Sequence, residues 1–183
     1  HIDVLPVTTD KTVEFIDQQS AEKPFFVYVP FSAPHTPWVP TKQYSGKSRA
    51  GSYGDFTVMV DDCVGRILGA LDRNGFTDNT LVMFTSDNGS HWLAQDIKQY
   101  EHRGNLDYRG QKADIHEGGH RVPFLVRWPR QIKPGTVRSG LGCLTDVFAT
   151  VASVIGKPLA WDAGEDSFSL LPLWQQGKAV RNA

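Results

Sequence analysis

The run TLVMFTSDNG, Thr80 to Gly89, decides how the chain is read. Thr80 to Thr85 is apolar or β-branched almost without interruption, which predicts a strand covered on both faces. The strand then ends in an acid, an amide and a glycine. Three readings of that ending compete: an Asx turn, a glycan acceptor in which Asn88-Gly89-Ser90 fits N-x-[ST], and a pair of hard oxygen donors for Ca²⁺ or Mg²⁺. The third has a place to act, because ligands of open α/β sheets collect outside the carboxyl ends of the strands.

Upstream, Phe56, Met59, Val60, Cys63, Ile67 and Leu71 recur at spacings of three and four, while Asp61, Asp62, Arg66 and Asp72 fall elsewhere. This pattern predicts an amphipathic helix from Ser52, stopped by Asn74-Gly75. Its Asp61-Asp62 pair reads as a solvated face, because neighbouring helical residues point about 100° apart. PFFVYVPF, Pro24 to Phe31, predicts an earlier buried strand, and Thr8, Thr9 and Asp10 offer caps for a short helix near Thr9 to Gln19. Strand, helix and strand form a right-handed βαβ unit, hence a parallel sheet with helices outside. Downstream, VPFLVRW (Val122 to Trp128) reads as a strand and DVFATVASVI (Asp146 to Ile155) as a helix ended by Gly156, while DSFSLLPLW shows no clear period.

Asp87 to Arg121 is a polar stretch of 35 residues with four of the six histidines. Connections that long without secondary structure are uncommon and are usually functional or disordered. HEGGH, His116 to His120, matches the H-E-x-x-H zinc pattern, which requires a helix carrying both histidines on one side. Two glycines cost such a helix about 2 kcal/mol and Pro123 follows closely, so HEGGH is expected to be non-helical and not to bind zinc tightly. Just before it, YRGQK sets Arg109 and Lys112 among glycines that let the loop fold close to an anion. His35 follows the first predicted strand between Pro34 and Pro37, and read alone it is a satisfied surface histidine.

The chain has 183 residues, 40% hydrophobic and 21% charged, with a formal charge of −1. That is enough for one sizeable core and a single domain. The scattered Lys and Arg residues speak against a nucleic-acid or membrane-surface partner, and no run approaches the roughly 20 apolar residues of a membrane span. Two cysteines without CxxC indicate neither a disulfide framework nor a cysteine-rich metal site.

Taken together, PFFVYVPFSAPHTPW, DNTLVMFTSDNG, RGQKADIHEGGHRVPFLVRWP, LTDVFATVASVIG and DSFSLLPL resemble, in order and spacing, the sulfatase family, type I arylsulfatases of the alkaline-phosphatase-like superfamily. TSDNG and the K-x4-E-G-G-x-R-x-P block are specific in combination. The resemblance implies an α/β sandwich with a central, mostly parallel sheet flanked by helices. It implies hydrolysis of sulfate esters at Ca²⁺ by a formylglycine nucleophile made from cysteine or serine. On this pattern Asp87 and Asn88 are metal ligands, His35 contacts the sulfate and helps protonate the leaving oxygen, and Lys112 binds the sulfate. His91, His116 and His120 are candidate residues on the substrate side.

Cys63 is followed by VGRI and Cys143 by LTDV, so neither fits the family's C-x-[PA]-x-R nucleophile motif. The resemblance therefore implies that residues 1–183 are one partial catalytic domain, the second half, lacking the N-terminal part and most of the C-terminal subdomain. It also implies a sulfated small molecule or sulfated glycan as partner, and a periplasmic, extracellular or lysosomal setting. Two alternatives stay open: a phosphodiesterase or phosphonate hydrolase of the same superfamily, and an inactive module that binds sulfated glycans.

Overall fold

The computed structural model describes residues 1–181. Helix α1 (Val4–Asp17) lies against helix α2 (Gly51–Arg73), and the pair forms the main core. The spacing-three-and-four residues of α2 face inward as expected: Phe56, Met59, Val60 and Cys63 pack with Leu5, and Leu71 with Ile16 and Ala70. Asn74 caps α2, and Gly75, at φ 71°, takes the left-handed turn that ends it. Asp61 and Asp62 are exposed, the latter accepting a hydrogen bond from the Tyr44 hydroxyl at 2.5 Å.

Helix α1 begins five residues before the expected start at Thr9, because the residues taken for caps are interior. Thr9 and Thr12 are buried, and their hydroxyls donate to the carbonyls of Leu5 and Thr8, both at 2.8 Å. This back-bonding satisfies them inside the helix. Pro6 falls in the first turn, where its missing N–H costs no helical bond.

Two strands follow, β1 (Val82–Thr85) and, after helices α3 (Ala94–Tyr100) and α4 (Glu117–His120), β2 (Phe124–Arg127). They pair antiparallel, with Val82 opposite Arg127 and Phe84 opposite Leu125. The period of two sends Val82 to the α1–α2 core and Met83, Phe124 and Val126 to a second core with Leu170, Leu173 and Trp174. That core includes helix α6 (Leu171–Gln176), which follows α5 (Asp146–Val154). The little sheet is thus covered on both faces only at its Val82–Met83 end; the paired Phe84 and Leu125 are 36% and 58% exposed, so the expected covered strand holds for the first half of the run alone.

The expected βαβ unit is corrected. Pro24 to Phe31 forms no strand among the described residues, and the only sheet pairing is antiparallel. The segment is extended and alternates: Phe25, Val27, Val29 and Phe31 turn inward, while Phe26 and Tyr28 are 74% and 77% exposed. Apolar continuity reveals a segment's appetite for burial, not the neighbour that would accept its backbone hydrogen bonds. No described helix is long and apolar enough to cross a membrane.

Candidate functional site

His35 sits in the turn after Pro24 to Phe31, its N–H donating to the Ser32 carbonyl at 3.1 Å. The ring is exposed, and its Nδ1 lies 2.7 Å from the carbonyl oxygen of Thr36. A carbonyl only accepts, so Nδ1 carries the proton and Nε2 is left to meet a ligand. Three residues on, Trp38 packs on Tyr53 of α2 and, with ring centroids 6.5 Å apart, on Trp92. Trp92 is buried and also contacts Tyr53, Tyr100 and His102. The aromatic cluster therefore joins the His35 loop to the segment after Asp87-Asn88.

Asp87 and Asn88 stand directly beyond the carboxyl end of β1. The exposed Asp87 carboxylate has no hydrogen-bond or ion-pair partner among the described residues, and the Asn88 side-chain nitrogen donates to Gly89 O at 3.0 Å, which leaves its oxygen free. Two adjacent free oxygens suit a hard cation, which takes six to eight such donors. The pair supplies two of those donors, and no group of three or more His, Cys, Asp or Glu side chains that could hold a metal ion exists among the described residues.

The Lys112 loop is bound to this turn through backbone and amide groups. Lys112 N–H donates to Ser90 O at 3.3 Å, Gly89 N–H to Gly119 O at 2.9 Å, and Gly118 N–H to Arg109 O at 2.8 Å. Glycine is required where the strands of this knot touch: a Cβ on Gly89 would overlap the Gly118 carbonyl, and one on Gly118 the Gly110 carbonyl. The Lys112 side chain is half-buried and has no ion-pair partner among the described residues. An ammonium held there without a counter-charge is available to an anion.

The expectation of a non-helical HEGGH is corrected: Glu117 to His120 wind one α-helical turn. Gly118 and Gly119 are buried in the knot, and their N–H groups are taken up by Arg109 O and, at 2.7 Å, His116 O, so tertiary contacts override their poor propensity. His116 remains extended at ψ 164°, outside the turn, and His120 Nε2 faces the Ile115 carbonyl at 3.1 Å. The two histidines do not share one helical face. His91 is exposed between the anchored residues Ser90 and Trp92.

Hydrogen bonds thus join the loops of Asp87-Asn88, His91 and Lys112, and the His35 loop is connected to them through the Trp38–Trp92 contact. Depressions of about 550 Å³ beside Tyr44 and Asp62 and about 270 Å³ beside Arg49 and His102 include none of the predicted residues. Sequence reasoning missed α3 and the side-chain amides of Asn105 and Gln111 that fasten the knot. The signal available was the density of glycines at 89, 104, 110, 118 and 119 around them.

The family model "Sulfatase" matches residues 6–157. Over 172 residues the chain is 37% identical to the N-acetylgalactosamine-6-O-sulfatase of Bacteroides thetaiotaomicron, covering 90% of this chain and 33% of that protein. Over 175 residues it is 39% identical to the steryl-sulfatase of Homo sapiens, covering 95% of this chain and 30% of that one. The crystal structure of the PsFucS1 sulfatase from Pseudoalteromonas sp. superposes with a TM-score of 0.86 at 33% identity, over 98% of this chain and 36% of that one. The chain spans about a third of the length of the curated relatives it matches. Its fold is that of part of the alkaline-phosphatase-like sandwich, and on these matches the chain belongs to the sulfatase family.

Proposed function

We propose that residues 1–183 are the second part of the catalytic domain of a sulfuric ester hydrolase, with a sulfated glycan or sulfated small molecule as substrate. What carries the reading is the half-buried, unpaired Lys112 bonded through its backbone to the turn that presents Asp87 and Asn88. The names of the relatives favour sulfate over phosphate esters and an enzyme over an inactive binding module.

A sulfate monoester carries its charge on the sulfuryl oxygens and develops more on the ester oxygen as the S–O bond breaks. The Lys112 ammonium neutralises the first, and His35, acting as the imidazolium with Nδ1–H kept on Thr36 O, passes its Nε2 proton to the second, leaving a neutral alcohol or phenol. The Thr36 carbonyl fixes the imidazole for that task by holding Nδ1–H. Asp87 and Asn88 offer two oxygens to Ca²⁺, which when bound polarises the sulfuryl oxygens. The formylglycine nucleophile belongs to a part of the protein beyond these residues, since neither Cys63 nor Cys143 lies in its motif.

The test compares the complete protein with residues 1–183 alone, using 4-nitrophenyl sulfate and bis(4-nitrophenyl) phosphate with and without calcium. Calcium-dependent sulfate-ester turnover is expected from the complete protein only. It should fall by a factor of about 10² or more in Lys112→Ala and in His35→Ala. Turnover by residues 1–183 alone, preference for the phosphate diester, or full activity in both variants would overturn the reading.

A further inference from the structure

We propose that Asn105 is a positioning residue for this site, locking the Asp87-Asn88 turn and Lys112 into one register; the inference rests on the sulfatase reading. Asn105 Oδ1 accepts from the Ser90 N–H at 2.8 Å and from the Ser90 hydroxyl at 3.0 Å. Its Nδ2 donates to Ser90 O at 2.9 Å and, more weakly, to Gly110 O at 3.4 Å. One side-chain amide thus meets both backbone groups of Ser90, as a paired strand would, and reaches the loop of Lys112. Ser90 O is also the carbonyl that receives the Lys112 N–H. The group that fixes Ser90 therefore fixes the seat of Lys112, two residues beyond Asn88.

Backbone strain shows why a lock is required. Leu106, directly after Asn105, has φ 55°, and Ala113, directly after Lys112, has φ 75°. Neither is a glycine, and the left-handed region is unfavourable for both, so the surroundings must hold them there. Leu106 is 71% exposed and contributes little burial to that end. Gly104 completes the arrangement, because a Cβ there would come within 2.5 Å of the Ser90 hydroxyl oxygen. A second amide reinforces the first: Gln111 Oε1 accepts the Trp92 N–H at 3.1 Å. Both amides are engaged with backbone of the knot, Asn105 with Ser90 and Gly110 and Gln111 with Trp92, so the role assigned is to aim Lys112.

The test uses the complete protein with Asn105→Ala and Asn105→Asp, the latter keeping the acceptor for Ser90 and losing both donations. Amide hydrogen exchange should rise at least about tenfold in peptides covering Ser90 and Lys112 in Asn105→Ala, with α1 and α2 unchanged. For 4-nitrophenyl sulfate, kcat/KM should fall at least about tenfold in Asn105→Ala and less in Asn105→Asp. Because part of the Asn105 effect runs through Lys112, the double variant Asn105→Ala/Lys112→Ala should be slower than Lys112→Ala by a smaller factor than Asn105→Ala costs in the wild type. Unchanged exchange, faster exchange with unchanged kcat/KM, or losses that multiply in the double variant would each overturn the proposal. If Asn105→Ala does not fold, Asn105→Asp carries the same comparisons. A wild type inactive on sulfate esters would defeat the sulfatase reading instead, and the exchange experiment would still decide whether Asn105 locks the two loops.

Discussion

The α1–α2 pair and the knot from Ser86 to Arg121 are built by different physics. The helices meet through buried apolar side chains, with Leu5, Phe56, Met59, Val60 and Cys63 nearly or wholly removed from water. The knot buries few apolar groups besides Trp92 and is closed by backbone carbonyls, glycines and the amides of Asn105 and Gln111. Burial is non-directional and tolerates adjustment, whereas a hydrogen-bonded knot sets distances to a few tenths of an ångström. The chain uses the first for its core and the second to fix the loops that carry Asp87, Asn88 and Lys112.

The sharpest test of this contrast is Met59→Ala. Met59 is 2% exposed at the centre of the helix pair, and its truncation should cost about 2–5 kcal/mol of stability through lost transfer and a residual cavity. Chemical unfolding measures the loss, while kcat per folded molecule should stay near wild type. A large fall in kcat with stability intact would show that the two regions are not separable.

The converse substitution is Gly89→Ala. Its new methyl would overlap the Gly118 carbonyl, backbone against backbone, and can be accommodated only by parting the two loops. A displacement of about 1 Å at Lys112 is expected to lower kcat/KM for an aryl sulfate by about 10²-fold. The helix pair should keep its amide-exchange protection. An active Gly89→Ala protein would mean that the close approach of these loops is dispensable.

This division also explains what was legible in the sequence. Periodicity located α2 and α5 to within a residue or so, because burial on one helical face is written into spacing. It failed at α1, where Thr8, Thr9 and Asp10 look like caps until the buried threonine hydroxyls are seen bonding back along the helix. It failed again at Pro24 to Phe31, since a strand exists only with its neighbour. Asp87, Asn88, His35 and Lys112 were singled out by family pattern; hydrogen bonds tie the Lys112 loop to the turn after Asn88, and the His35 loop meets that segment through Trp38 and Trp92. Asn105 and Gln111 stayed hidden because amide hydrogen bonding between loops leaves no period. The short helical turn at Glu117 was misjudged for the same reason, as the Gly118 N–H and the Gly119 carbonyl are bound by Arg109 and Gly89, outside the turn.

The smallest effect concerns a third mode of assembly, a buried charge. Asp146 at the start of α5 is wholly buried and accepts from the Cys143 and Phe168 N–H groups at 2.8 and 2.9 Å and from the Arg181 guanidinium at 2.5 Å. Burial by itself raises a carboxyl pKa, but the Arg181 pair and the two N–H donors outweigh it and hold Asp146 below the usual range. Between its folded and unfolded pKa values the unfolded chain binds more protons. Stability from this group is therefore complete above the unfolded value of about 4 and is lost as pH falls through the folded one. Asn at this position imitates the protonated acid in charge, so the stability gap between wild type and Asp146→Asn should narrow as the pH drops from about 6 toward about 3. Carboxylates common to both proteins, including the buried Asp55, cancel in that difference. A gap that stays constant across the range would show that Asp146 contributes through its hydrogen-bond geometry and not through its charge.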